Sequence, residues 1–203
     1  MINPRRGVAR ALAPLVLALS VSMPGAAADN PDPARAQALV RDTTDDMLAV
    51  LRNDLEAADD EAALLQRRMN EIVAPHLDFV TMTKLAVGRY WLDASDDQKR
   101  ALVTEFRTLL LRTYARSLQE YDNEGLELLP LRNGGKPDRV KVRSRVIRPD
   151  GPEVAVDYSL RFDDGEWQVY DIVIDGISMV TNYRSTFSNV IRSEGIDGLL
   201  ATL

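Results

Sequence analysis

Between Trp167 and Leu200 the chain reads WQVYDIVIDGISMVTNYRSTFSNVIRSEGIDGLL, and within it the hydrophobic period changes from two to about 3.6. A strand therefore runs straight into a helix, and any fold must seat the two as neighbours. In the strand half, Trp167, Val169 and Val173 alternate with Tyr170, Ile172 and Ile174, so both faces are apolar and the strand is expected to be covered on both sides. Asp175-Gly176 ends the strand and Thr181 or Asn182 caps the helix. Tyr183, Phe187, Val190 and Ile191 fall on one stripe, and Gly195 closes it.

Upstream, Asp32-Pro33 is a helix start, an N-cap followed by proline at the first helical position. Ala36, Val40, Thr43, Met47, Val50, Leu51 and Leu55 recur at helical spacing, which predicts a helix over 33–57. Asp59 or Asp60 caps a second helix, through Leu64, Leu65, Ile72 and Val73, that Pro75 stops. A shorter one holds Phe79, Val80, Leu85 and Val87 and ends at Gly88. Ser95 and Gln98 form a capping box that opens the longest helix, 95–121. On it Leu102, Phe106, Leu109, Leu110 and Thr113 make one stripe, which Leu111, Tyr114, Leu118 and Tyr121 widen beyond the needs of a single contact.

After Gly125 the pattern turns to strands at 126–132, 139–148, 153–162 and 166–174, separated by Asn133-Gly134-Gly135, Pro149-Asp150-Gly151-Pro152 and Asp163-Asp164-Gly165. A last short helix covers 196–202. Helices followed by a meander make an α+β fold, with a helical layer packed on a twisted four-stranded antiparallel sheet. A three-residue loop at 150–152 would set Arg145 opposite Asp157, Val146 opposite Val156 and Val142 opposite Leu160.

The first residues have the pattern of a secretory signal: Arg5, Arg6 and Arg10, an apolar run from Ala11 to Val21, a Pro24-Gly25 break and Ala26-Ala27-Ala28 before Asp29. Eleven apolar-region residues are too few for a bilayer, which needs about 20. The expected division is a signal peptide at 1–28 and one domain at 29–203. Removing residues 1–28 takes away three arginines and no acid, leaving 22 basic against 31 acidic residues and a charge of −9. An acidic chain is poorly suited to nucleic acid, whose nonspecific binding is driven by Lys and Arg. With no cysteine, an exported protein of this kind holds together by packing alone and carries no lipid anchor on sulfur.

Four segments carry a family likeness. They are Trp167-x-x-Tyr170-Asp171, Gly176-x-Ser178, Asn182-Tyr183-Arg184-x-x-Phe187 and Gly195-Ile196-Asp197-Gly198-Leu199. Together with Asp78-Phe79, Gly88-Arg89-Tyr90-Trp91, Phe106 and Tyr114, they resemble the toluene-tolerance (MlaC) family of periplasmic phospholipid-binding proteins, over nearly all of the chain after about residue 35. The resemblance implies a monomeric carrier with phospholipid as cargo and no cofactor. Its partners would be an outer-membrane lipoprotein–porin complex and an inner-membrane ABC transporter bearing MCE domains, and its task the maintenance of outer-membrane lipid asymmetry. The apolar cavity it implies would be walled by Phe106, Leu110, Tyr114, Val142, Val156, Tyr158, Tyr183 and Phe187. The alternatives are a docking adaptor whose cavity is plain core, and a carrier of a related lipid such as a hopanoid.

Catalysis and metal binding find little support. His76 is the only histidine, and Gly176-Ile177-Ser178-Met179-Val180 lacks the second glycine of a nucleophile elbow. One histidine and no cysteine exclude the usual zinc sets, and Asp59-Asp60-Glu61 and Asp93, Asp96 and Asp97 lack calcium-loop spacing, so these acids are expected at caps and on solvated faces. Arg139, Lys141, Arg143 and Arg145 share one face of a strand, which is expected to be solvated and paired with acids on its neighbour, with a docking surface for an acidic partner as the functional alternative. N-terminal sequencing of exported protein should find Asp29 first. A start before Pro24, or retention of the apolar run, would contradict the signal peptide.

Overall fold

The structure is a computed structural model describing residues 30–55, 57–118, 125–132, 136–148 and 151–203, with the backbone alone at 116–118. The signal-like segment 1–28, the Leu118 side chain and Tyr121 of the long helical stripe, the Asn133-Gly134-Gly135 turn and Pro149-Asp150 lie outside that description.

Helix α1 spans Pro33–Asn53, with the Asp32 carboxylate accepting from Ala34 N at its start. Helix α2, Glu61–Arg68, is capped by Asp60 and continues through a π turn, Met69–Val73, into a 3-10 turn, Ala74–His76, where Pro75 supplies no N–H. Helix α3, Phe79–Val87, ends at Gly88, whose φ is 63°. A Cβ at Gly88 would lie 2.9 Å from the Arg184 Nε, so glycine lets this guanidinium close on the end of α3. The Gly88-Arg89-Tyr90-Trp91 and Asn182-Tyr183-Arg184 segments thus meet in space. Helix α4, Asp96–Leu118, opens with the expected capping box: Ser95 N donates to Gln98 Oε1 at 3.0 Å and Gln98 N to Ser95 Oγ at 3.2 Å.

The sheet has five strands, not four, in the order β1-β2-β3-β4-β5, all neighbours antiparallel: β1 Gly125–Leu128, β2 Arg139–Ile147, β3 Val154–Asp163, β4 Glu166–Ile174 and β5 Ile177–Ser178. Asp175-Gly176 does more than end a strand. Both residues have positive φ, as a type I′ turn requires, and they fold the chain back into β5. Helix α5, Met179–Thr202, therefore starts earlier than expected, capped by Ser178, whose hydroxyl accepts from Thr181 N at 3.1 Å. The short final helix is its continuation beyond a kink at Gly195.

The β2–β3 register differs from expectation by two residues. Arg143, not Arg145, faces Asp157; Val146 faces Val154, and Val142 faces Tyr158. A slip of two leaves every side chain on its own face, so the demand for one buried face fixes parity but cannot choose between these registers. The observed one places the Ser144 hydroxyl 2.7 Å from the Val156 carbonyl oxygen, satisfying a buried hydroxyl. The cations stay outside. Lys141 pairs with Asp157 at 3.9 Å and Arg145 with Glu153 at 3.4 Å, Arg143 donates to the Pro130 carbonyl, and Arg139 lies over the Tyr170 ring.

In β4 the pairing shifts between Ser159 and Leu160: Ser159 faces Asp171, while Leu160 faces Val169. Tyr170 is the extra residue of this bulge. Trp167 and Val169 below it, and Ile172 and Ile174 above it, consequently share the inner face. The apolar residues at both parities record this switch of parity rather than a strand covered on both sides.

Two apolar cores result. One, around Leu65, Met82, Leu102, Phe106 and Phe187, joins the helices; the other, of Ala36, Val40, Val142, Leu160, Trp167 and Val169, lies between α1 and the sheet. Leu77 and Ile172 pack against both. Asp78 locks this junction: its N–H donates to Val169 O at 2.9 Å, one carboxylate oxygen caps α3 through Thr81 N, and the other lies 2.6 Å from Arg161 Nε. Asp78→Ala removes the cap and leaves Arg161 without its buried partner, and should cost about 3 kcal/mol in urea unfolding, against less than about 1 for Lys141→Ala in an exposed pair.

Candidate functional site

Between the two cores lies a cavity of about 330 Å³, within the range of about 300–1,000 Å³ usual for ligand pockets. Helix α1 forms one side through Leu39, Val40, Thr43, Met47, Leu48 and Leu51, residues that return at every third or fourth position. The π turn contributes Met69 and Val73; α4 contributes Leu110, Leu111 and Tyr114. The sheet supplies Leu126, Val146, Val156, Tyr158, Val169, Ile172 and Ile174, one apolar residue after another on the inner face. No Asp, Glu, Lys or Arg is among the described residues of this lining.

Its polar groups include hydroxyls of Thr44 and Tyr114. Thr44 Oγ1 donates to the Val40 carbonyl at 2.7 Å. Burial, reinforced by the nearby Tyr183, pushes the Tyr114 phenol above its usual 10.0, and burial likewise raises Tyr183, partly offset by a hydrogen bond with Thr113. Both stay protonated at neutral pH. The cavity is thus an apolar space without a fixed charge, suited to hydrocarbon and poorly suited to an ion.

Methionine marks this wall. Of six methionines in the chain, Met1 and Met23 precede the described residues, and the other four, Met47, Met69, Met82 and Met179, all line the cavity. Unbranched and polarizable, methionine adapts to ligands of variable shape. Neither this clustering nor the α1 wall is among the expectations drawn from the sequence. The methionine positions were legible, since four elements contribute one each. That the first half of α1 would turn its stripe toward the sheet was not.

Of the residues expected to wall a cavity, Leu110, Tyr114, Val156 and Tyr158 line it. Phe106, Tyr183 and Phe187 do not. They form an aromatic cluster between α4 and α5, with Phe106 edge-on to Tyr183 at 5.0 Å and to Phe187 at 5.2 Å between ring centres. Val142 is fully buried in the second core, beneath the first half of α1. Phe106 and Leu110 sit one turn apart on α4, yet one seals helix to helix and the other faces the open space.

Ser178 caps a helix, and His76 stands on the cavity wall. The Ser178 hydroxyl donates to Asp171 at 2.8 Å while capping α5, and Asp171 also accepts from Val180 N at 3.3 Å, so both groups belong to the helix start. His76 lies on the cavity wall and makes no side-chain hydrogen bond or ion pair among the described residues. The described residues contain no cluster of three metal-ligating side chains and no helix long and apolar enough to cross a membrane. Asp60 caps α2, and Asp96 and Asp97 pair with Lys99 and Arg100, the cap and surface roles expected of these acids.

Residues 41–203 match the family model of the MlaC protein. The toluene tolerance protein ttg2D of Pseudomonas putida is 26% identical over 161 residues, which cover 78% of this chain and 74% of that protein. The intermembrane phospholipid transport system binding protein MlaC of Haemophilus influenzae is 24% identical over 132 residues, 64% of this chain and 62% of that protein. Among solved structures, the phospholipid-binding protein of Ralstonia solanacearum, in complex with a phospholipid, superposes with a TM-score of 0.75 at 32% identity, covering 82% of this chain and 93% of that one.

The raised tyrosines have a pH consequence. Because the folded state holds Tyr114 and Tyr183 protonated, their contribution to stability is fully present below about pH 10, the unfolded value, and falls as pH rises from there through the higher folded values. Ultraviolet titration should show two tyrosines ionising above the usual 10.0, and Tyr114→Phe should remove one of them.

Proposed function

The chain belongs to the MlaC family, and on that premise we propose that it is a soluble phospholipid carrier of the periplasm. Residues 1–28 serve as its secretory signal, and 29–203 form the single lipid-binding domain. It takes phospholipid from one membrane complex and delivers it to another: an outer-membrane lipoprotein–porin complex on one side, an inner-membrane ABC transporter with MCE domains on the other. That traffic maintains the lipid asymmetry of the outer membrane. The chain works as a monomer and performs no covalent chemistry.

The observation that carries this reading is the charge-free, methionine-rich cavity between α1, α4 and the sheet. Each acyl methylene kept from water is worth about 0.8 kcal/mol, so ten enclosed methylenes supply about 8 kcal/mol. That sum makes a cavity indispensable to any protein that moves lipid through an aqueous compartment. The head group, being polar, stays at the mouth. The adaptor alternative draws less support, because Lys141 and Arg145 on the basic strand face are already paired with Asp157 and Glu153.

Leu110→Arg and Tyr114→Asp test the reading, since each sets an unpaired charge against acyl chains at a cost of several kcal/mol, comparable with the gain from several methylenes. Organic extraction and mass spectrometry of purified protein should find phospholipid in the wild type and far less in these variants. Arg112→Glu, exposed on the same helix, should leave lipid content unchanged. Circular dichroism confirms folding. Folded Leu110→Arg and Tyr114→Asp proteins with wild-type lipid content would refute the assignment.

A further inference from the structure

One row of the sheet runs from inside the cavity into solvent. Val156 on β3 directly faces Ile174 on β4, and Ile174 directly faces Ile177 on β5. Residues directly opposed across antiparallel strands share a face. All three side chains therefore stand on the cavity side of the sheet. Val156 and Ile174 line the cavity; Ile177 does not. Along the row exposure climbs in even steps, from 9% at Val156 to 38% at Ile174 and 67% at Ile177. A single exposed isoleucine would need no explanation, but this one continues an apolar wall without a polar residue between it and the interior.

The hairpin that carries it is firmly built. The Asp175-Gly176 turn has the backbone of type I′; Asp175 exchanges hydrogen bonds with Ala155, its N–H donating to the Ala155 carbonyl at 2.9 Å and its carboxylate accepting from the Ala155 N–H at 3.0 Å. Ser178, next along the chain, is tied to Asp171. A stiff hairpin thus holds an apolar side chain in water at the edge of an apolar cavity.

We propose that the β4–β5 hairpin is the portal of this cavity, with Ile174 and Ile177 forming a sill across which the acyl chains of a phospholipid slide in and out. The proposal rests on the reading of the cavity as a lipid site. Strands lie about 4.8 Å apart, so the row offers about 10 Å of unbroken apolar contact to a chain that would otherwise cross water one methylene after another. Ile177 lies outside the lining, so acyl chains seated in the cavity do not rest on it, and lipid in a bilayer does not touch it. It acts on the crossing alone, so altering it changes the rates of uptake and release together and leaves the equilibrium between protein and membrane where it was.

Ile177→Asn is the test, with Ile177→Met as the conservative variant and Leu92→Asn, at an 82% exposed site away from this row, as the control. Transfer is followed by dequenching as the protein, stripped of lipid, takes an acyl-labelled fluorescent phosphatidylethanolamine from phosphatidylcholine vesicles, and release by returning it to unlabelled vesicles. Lipid per mole of protein at equilibrium is measured in parallel. Ile177→Asn should slow uptake and release alike by roughly tenfold, a rise of about 1.4 kcal/mol in the barrier, with lipid per mole unchanged, while Ile177→Met and Leu92→Asn keep the wild-type rate. Wild-type rates in Ile177→Asn, or a fall in its equilibrium lipid content, would overturn the portal. Absence of lipid binding by the wild-type protein itself would instead overturn the carrier reading on which the portal rests.

Discussion

The buried carboxylate of Asp78 joins the two halves of this molecule. Through its backbone it extends the edge of β4, through one oxygen it starts α3, and through the other it pairs with Arg161 on β3. The segment leading to it, Leu77, bridges in parallel to Val169. The lower edge of β4 is thereby covered by this segment and the upper edge by β5, so the strand leaves little free edge for another chain to pair with. A buried charge without its partner would be costly, so the attachment of helices to sheet is all-or-none at this point.

The halves are fixed there, at the start of α5 on Asp171 and under the first half of α1, and the space between these attachments stays open. Protein interiors pack densely, and an apolar wall of this extent would ordinarily collapse onto a neighbouring layer. Here the helical core closes on itself through Phe106, Tyr183 and Phe187, and the sheet closes on the first half of α1 through Val142, Leu160 and Trp167. Each core is complete on its own. What remains between them, from Met47 on one side to Ile172 on the other, has apolar surface and no filler. The lining offers hydrocarbon contact from flexible methionines and no charge to be desolvated, which favours chains of varied shape over any one rigid ligand.

Much of this was legible in the sequence, and the misses have definite causes. Caps and breakers act locally, so Asp32-Pro33, Asp60, the Ser95–Gln98 box and Pro75 announced their helix boundaries correctly. The Asp175-Gly176 dipeptide also has the chemistry of a hairpin turn, but a two-residue strand such as β5 leaves too little alternation to be read. In β4 the apolar residues at both parities looked like two covered faces because a bulge at Tyr170 cannot be told from double burial by pattern alone. The β2–β3 register shows the same limit: parity is written in the sequence, whereas the choice between Arg143 and Arg145 opposite Asp157 depends on a turn and on the Ser144 hydrogen bond. For the site, a wide stripe on α4 said that apolar surface exceeded one contact. It does not distinguish residues that face a helix from residues that face a void, and Phe106 and Leu110 share that stripe.

The four cavity methionines offer the most direct measurement of the central claim, that acyl chains occupy the space between α1, α4 and the sheet. Each can be observed as a methyl resonance in protein labelled at methionine alone, and each sits on a different element of the wall. Binding of a phospholipid that carries a nitroxide on its acyl chain should broaden the methyl signals of Met47, Met69, Met82 and Met179. The indole signals of Trp91 and Trp167, which lie off the lining, should be affected less. Binding that leaves all four methionine signals sharp, or that broadens the tryptophans first, would contradict the account and place the lipid elsewhere on the protein.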